Sequence, residues 1–447
     1  MKNVLSSAVL AASLCASVSA LAQTAASAPA ASEDALSATA IDGATFDEWQ
    51  ARQAEAKAIA DAAKADPTIG DVKPADQADD TAPAAGEDGA DKPTADSGAA
   101  AEAPAPDAPG ADTAATATPP EPGTSPNAAS EDVPVAGMPG AVVETPDNST
   151  DVPDEAGQQV ADKPKLPDPF LIRMQVLLDR AHVSPGVIDG LEGENTRKAI
   201  AAYEALRKLP VDGEPDADFW TVLVVDQGQA MKSYEITQDD LSQRFVPDLP
   251  EDYGKLAKLE FLGYSGPVEM LAERFHMDED LLKALNPGAD FTKAGTTIIV
   301  ADPGGEPETK VARIVVDKPT GELTAYDADG GVVVAYPATI GSKDTPSPTG
   351  TVKVKGIAPD PTYSYDPSKN FKQGDNSEKL TLPAGPNGPV GDMWIDLDRP
   401  TYGIHGTPHP ETIDKAASHG CVRLANWDAK ALAKLVEPGK TVVEFKG

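Results

Sequence analysis

Cys421 sits in the run Ser418-His419-Gly420-Cys421-Val422-Arg423-Leu424, and another histidine lies upstream in Tyr402-Gly403-Ile404-His405-Gly406-Thr407. The chain holds only 2 Cys and 5 His, and three of those histidines, His405, His409 and His419, fall shortly before Cys421. A thiol is nucleophilic as thiolate, a form that a neighbouring imidazole favours. Such a pair can attack an amide carbonyl if donors await the oxyanion. Proximity in the chain favours His419 as the proton acceptor. Yet residues two apart on an extended segment point the same way without touching, while a strand ending at His405 can face the thiol across a groove. Gly420 lets the backbone approach a carbonyl closely, and its N–H and that of Cys421 are the expected oxyanion donors. Arg423 can fork onto a substrate carboxylate. Tyr363, Tyr365, Trp394 and Tyr402 are candidates for a groove wall or for plain packing. The competing chemistry is a zinc site from His405, His409, His419 and Cys421, although no clustered ligand spacing accompanies them. No metal and no cofactor is expected.

These residues resemble the L,D-transpeptidase catalytic domain of bacterial cell-wall enzymes. That family carries an Ile-His-Gly-Thr strand end, a loop, then Ser-His-Gly-Cys followed by an apolar residue and Arg or Asn. Here twelve residues separate His405 from Ser418. Thr345-Pro346-Ser347-Pro348-Thr349-Gly350 and the segment from Leu382 to Gly391 resemble the family's upstream pieces. Asp414 is a departure, standing where many relatives have Gly. The resemblance covers roughly the last third of the chain and implies a β-sandwich. It implies that Cys421 attacks the bond between the diamino acid at stem position three and the D-Ala at position four. His405 would be the general base, with its ring oriented by the Gly406 backbone, and His419 would tune the site. The acyl-thioester would pass to an amine, giving a 3–3 crosslink or attaching another molecule. Resolution by water would instead make an L,D-carboxypeptidase or amidase. A catalytically silent wall-binding scaffold is the reading from a different class, and the intact His405, Gly420, Cys421 and Arg423 set argues against it.

The elements around these motifs imply a multidomain chain. From Val311 the apolar pattern has period two, with strands at 311–316, 322–326 and 332–336 separated by Gly-containing turns. Asn426 can cap a helix from Trp427 to Val436, and 441–445 reads as a last strand. Residues 309–447 are therefore expected to form a mostly β domain with one clear helix. Residues 166–225 read as a small helical domain, with Phe170, Met174, Leu177 and Leu178 at helical spacing and a second helix from Glu194 to Leu206. Its Asp189-Gly190, Gly193-Glu194-Asn195-Thr196 and Asp212-Gly213 signals resemble a peptidoglycan-binding three-helix domain. The alternative there is a generic helical spacer. Residues 226–255 are read as a connector. Residues 256–303 resemble a LysM module of strand-helix-helix-strand form, with an opening strand at 260–264 and a closing one at 295–300. Such a module either binds glycan or packs against the catalytic domain. His182 and His276 are read as structural.

Lys2, the apolar run from Val4 to Leu14, and Ala20-Leu21-Ala22 read as a secretory signal over 1–22. The run is too short to span a bilayer, and no later run could cross one. An uncleaved anchor is the competing reading. Export implies the periplasm or cell wall, an oxidising setting in which a lone Cys421 cannot form an internal disulfide. Residues 23–165, rich in Ala, Pro and Asp, are read as a disordered acidic linker. Within it, 46–65 is expected to form a transient helix without a partner. The net charge is -35, almost all of it before residue 310. Such acidity argues against nucleic acid or anionic membrane as partner. The expected partner is peptidoglycan, supplying a stem tetrapeptide as donor and an amine as acceptor.

Overall fold

The computed structural model describes residues 36–65, 166–225, 228–341, 346–368, 371–415 and 420–447. The expected signal over 1–22, most of the 23–165 stretch, and Ser418 and His419 lie outside the described residues. Among the described residues no helix is long and apolar enough to cross a membrane. The described residues up to Glu55 and from Leu166 onward form one compact unit.

Two helices open the described chain, α1 (Ala38–Gly43) and α2 (Phe46–Ala65). The expectation that the second has no partner is corrected. Ile41 is fully buried, and Phe46 and Trp49 join an aromatic cluster in which Trp49 stacks on Phe170 at 5.0 Å and Phe170 meets Trp220 at 4.7 Å. Asp42 accepts from the N–H groups of Ala230 and Met231 at 2.6 and 3.1 Å, and Arg52 pairs with Asp168 at 3.0 Å. The few apolar residues of this polar stretch bury against a face supplied from elsewhere in the chain, a match that composition cannot register. Ile41→Ala is expected to cost about 2–5 kcal/mol, read as a lowered thermal midpoint. An unchanged midpoint would mean that the segment is not docked in solution.

The helical domain contains α3 (Pro169–Arg180), α4 (Glu194–Arg207) and α5 (Ala217–Leu223). Asp168 caps α3 by accepting from Phe170 N, and the residues at the predicted spacing, Phe170, Met174, Leu177 and Leu178, are all buried. Beyond α3 the chain adds a short bridge to the β domain. Ser184 N donates to Ala335 O at 2.9 Å and Ala335 N to His182 O at 3.0 Å.

The α/β module runs β1 (Met231–Glu235), α6 (Gln238–Leu241), α7 (Tyr253–Leu256), α8 (Pro267–Arg274), α9 (Glu279–Leu285) and β2 (Thr297–Ala301). β1 and β2 pair antiparallel. The opening strand therefore lies in the stretch read as a connector, and 260–264 is not a strand. The backbone of Leu262 is engaged elsewhere: its N–H donates to Ala384 O at 2.8 Å and its carbonyl accepts from Asn387 N at 2.9 Å. Residues between β1 and α8 thus run out of the module and along the β domain.

The β domain contains β3 (Arg313–Asp317), β4 (Glu322–Tyr326), β5 (Val332–Pro337), β6 (Thr339–Ile340), β7 (Gly350–Pro359), β8 (Tyr363–Tyr365), β9 (Leu380–Leu382), β10 (Met393–Leu397), β11 (Gly403–His405), β12 (Val422–Arg423), α10 (Asn426–Leu435) and β13 (Val442–Lys446). Nine strands form one sheet in the order β5-β4-β3-β13-β7-β10-β11-β12-β6, while β8 and β9 form a separate hairpin. The sheet's two ends, β5 and β6, are joined by Ala338 alone. A sheet whose ends are covalent neighbours must curl back on itself, which encloses its apolar face. That face holds Ile314, Val316, Leu323, Val354, Ile395, Ile404, Val422 and Leu424, with Leu432 and Leu435 of α10 packed among them.

Candidate active site

Strand alternation sorts the motif residues onto two faces. Ile404, Val422, Leu424 and Ile395 point into the enclosed core. Their alternates point the other way. Across β10, β11 and β12, Trp394 pairs with His405 and His405 with Arg423. The three side chains therefore form one row on the outer face, and Cys421, two residues before Arg423, belongs to the same face. There it packs in a second apolar cluster with Leu256, Leu262, Tyr363, Tyr365 and Trp394. The Trp394 and His405 rings stack at 5.6 Å. This stacking requires glycine at 403, because a Cβ there would stand 2.4 Å from the indole. Tyr402 packs against the enclosed core instead.

His405 is 2% exposed, and its Nδ1 lies 2.7 Å from Gly406 O. A carbonyl oxygen only accepts, so Nδ1 carries the hydrogen and Nε2 is left as an acceptor. Burial and the nearby Arg423 charge lower its pKa to about 3, so the ring is neutral. Cys421 is also 2% exposed, and burial pushes its thiol up to about 12 against the pull of a Gly403 backbone contact and Arg423. The sequence leads to the expectation of an imidazole-stabilised thiolate. In the folded chain burial favours the neutral form of both the thiol and the imidazole.

The loop geometry also has identifiable causes. Gly420 has φ 103°, a conformation that side-chain-bearing residues resist, and its carbonyl accepts from Ser347 Oγ at 2.7 Å. Ser347 comes from the Pro-rich turn segment, and it is a contributor that the sequence did not single out. Asp414 has φ 60°, the left-handed region that glycine adopts freely and Asp tolerates. Its side chain pairs with Lys198 of α4, and its N–H donates to Thr339 Oγ1 at 2.8 Å. Asp414 thus ties the loop to the helical domain.

Residues outside the β domain complete the groove. Tyr253 of α7 meets Tyr365 at 5.3 Å and Phe371 at 5.9 Å, and Gln373 Nε2 donates to Glu251 O at 2.9 Å. The β8–β9 hairpin is thereby held against the module's outgoing segment. A cavity of about 860 Å³ opens between the module and the 387–389 and 407–411 loops of the β domain, lined by Tyr253, Leu256, Glu269, Glu273, His409 and Arg423 among others. Arg423 is largely buried, and among the described residues its Nε meets no hydrogen-bond partner and no acidic side chain pairs with it. His409 is at the rim, 69% exposed and 3.5 Å from Glu411. Among the described residues no three His, Cys, Asp or Glu side chains gather as metal ligands.

Asn426 was expected to cap the last helix. Instead it is that helix's first residue, Ala425 occupies the cap position, and no side chain caps the end. The Asn426 amide turns inward, fully buried, and accepts from Thr407 N at 3.0 Å. Its position three residues after Arg423 was the available signal, but a capping role explained the residue equally well.

Residues 311–444 match the YkuD profile, the L,D-transpeptidase catalytic domain, and residues 168–223 match that of a peptidoglycan binding domain. Over 178 residues the chain is 32% identical to the L,D-transpeptidase YkuD of Bacillus licheniformis, covering 39% of this chain and 91% of that protein. Over 189 residues it is 33% identical to the L,D-transpeptidase YbiS of Escherichia coli, covering 41% of this chain and 61% of that protein. Among solved structures, L,D-transpeptidase 3 from Mycobacterium tuberculosis is similar over 34% of this chain and 76% of that one, at 15% identity and a TM-score of 0.25.

Proposed function

The chain belongs to the L,D-transpeptidase family, and on that premise we propose that it acylates Cys421 with peptidoglycan stem peptides and passes the acyl group to an amine. In this scheme Nε2 of His405 takes the thiol proton as Sγ attacks the carbonyl at stem position three. The oxyanion is met by the N–H groups of Gly420 and Cys421. Collapse breaks the C–N bond, and the proton on His405 goes to the departing D-Ala amine. An acceptor amine then attacks the thioester and gives its proton to His405, which returns it to sulfur. Water as acceptor would give carboxypeptidase or amidase chemistry from the same intermediate. The enzyme would work in the periplasm or cell wall, held to its polymer by the helical domain.

The observation that supports this reading is the shared outer face of Trp394, His405, Arg423 and Cys421, with the imidazole turned so that its free nitrogen is the basic one. The test is incubation with purified disaccharide-tetrapeptide, followed by intact-mass measurement of the protein and product analysis. An adduct of the donor lacking one alanine is expected on Cys421, and its absence would count against the reading.

Arg423 would supply the counter-charge for the donor's terminal carboxylate, since a buried cation without an acidic partner is costly until an anion arrives. Arg423→Lys keeps the charge but loses the planar fork. It is expected to lower kcat/KM about 10- to 100-fold, the range for loss of a charge-assisted hydrogen bond. Amidating the donor's terminal carboxylate should cost the wild type a similar factor and cost the variant little. Equal sensitivity in both proteins would remove Arg423 from this role.

A further inference from the structure

We propose that Glu273, a residue of the α/β module, is a positioning residue for His405, acting through Asn426 and the peptide group between Gly406 and Thr407. The inference rests on the reading of His405 as general base. Three contacts build the chain. Gly406 O accepts from His405 Nδ1 at 2.7 Å. Thr407 N, on the same peptide unit, donates to Asn426 Oδ1 at 3.0 Å. Asn426 Nδ2 in turn lies 3.0 and 3.1 Å from the two carboxyl oxygens of Glu273 and 3.3 Å from Pro386 O.

The peptide group is planar, with N–H and C=O pointing in opposite directions. Holding its N–H therefore aims its carbonyl, and the carbonyl aims the imidazole. The Asn426 amide can do this in only one orientation. Glu273 and Pro386 both offer oxygen acceptors, so Nδ2 faces them and Oδ1 faces Thr407 N. The site is also closed sterically. A Cβ at Gly391 or at Gly406 would stand 2.1 Å from Asn426 Oδ1, so the amide reaches this peptide only between two glycines.

Glu273 lies near the end of α8, 6% exposed, and Tyr264 Oη lies 3.1 Å from its Oε2. Lys430 and Asp392, which pair with each other at 2.8 Å, stand beside it. Burial pushes its carboxyl up to about 8, against the pull of Lys430. A neutral carboxyl still offers its carbonyl oxygen to Asn426. Glu273 lies outside residues 311–444, where the transpeptidase profile matches. The geometry of the base is thus set partly by a neighbouring module.

The test compares Glu273→Met and Glu273→Gln with wild type in the full chain, on a soluble tetrapeptide donor. Methionine fills similar volume without an acceptor, and rates are read per folded protein because the buried donors of Asn426 and Tyr264 lose a partner. Glutamine keeps the acceptor oxygen. Glu273→Met is expected to lower kcat about 10- to 100-fold with KM within about threefold, the size of effect of a misplaced reacting group. Glu273→Gln should return kcat to within about threefold of wild type. A Met variant at wild-type kcat, a loss confined to KM, or a Gln variant as slow as Met would each overturn the proposal. Cys421→Ala, run alongside, separates the two failures. If it is inactive while Glu273→Met is at wild-type rate, only this inference falls. If it still turns over, the thioester reading itself falls.

Discussion

Replacing Cys421 by alanine is expected to lower muropeptide turnover by at least about 10⁴-fold, because the nucleophile acts as a unit with its base and neither works alone. The fold should survive, since the change removes one sulfur from a cluster otherwise made by Leu256, Leu262, Tyr363, Tyr365, Leu382, Val390 and Trp394. Thiol alkylation of the wild type should inactivate to the same extent, and chelators should do nothing. The reverse pattern would favour a metal role for the same side chains. The rate of alkylation carries a further expectation. Burial disfavours the anion and pushes the thiol up to about 12. Alkylation of the free enzyme should therefore be slow near neutrality and rise about tenfold per pH unit without levelling off below pH 10. A plateau near pH 7 would show a preformed thiolate, and the general-base scheme would be wrong for the resting enzyme.

His405→Ala is expected to lower the acylation rate by about 10² to 10⁴, the range for loss of a general base. His419→Ala should cost less and act partly through substrate binding. The pH profile gives this prediction a sign. The competent form of His405 is the neutral ring, and burial together with the Arg423 charge lowers its pKa to about 3. Acid should therefore reduce kcat/KM through this group only well below the ordinary imidazole range, leaving activity nearly flat from pH 7 down to pH 5. An acid limb near pH 6.5 that disappears in His419→Ala but persists in His405→Ala would exchange the two roles.

Domains that hold an enzyme to its polymer raise its effective concentration there without touching the chemistry. The contacts of the module and the helical domain give them a second task. Tyr253, Leu256 and Leu262 line the cluster around Cys421, and Lys198 of α4 holds Asp414 in the loop before the motif. Deleting 166–303 should therefore damage activity on soluble peptides as well as on intact wall.

What the sequence determined by itself was local and covalent. The spacing of His405 and Cys421, the period-two strands from 311 onward and the helix beginning at Asp168 follow from chain geometry acting over a few residues. Gly420 belongs here too, because a φ of 103° is a property of one residue's own backbone. Tertiary structure decided everything that depends on which distant group arrives at a given place. Asn426 reads as a helix cap until Glu273 and Thr407 stand on either side of its amide. The 46–65 helix reads as partnerless until α3 and α5 offer Phe46 and Trp49 an apolar face. The residues at 260–264 read as a strand until loop 384–387 takes the Leu262 backbone groups. The same holds for the charge state of the site. Sequence places a histidine near a thiol, which favours thiolate, but only the folded chain removes the water around them, and desolvation then reverses the preference.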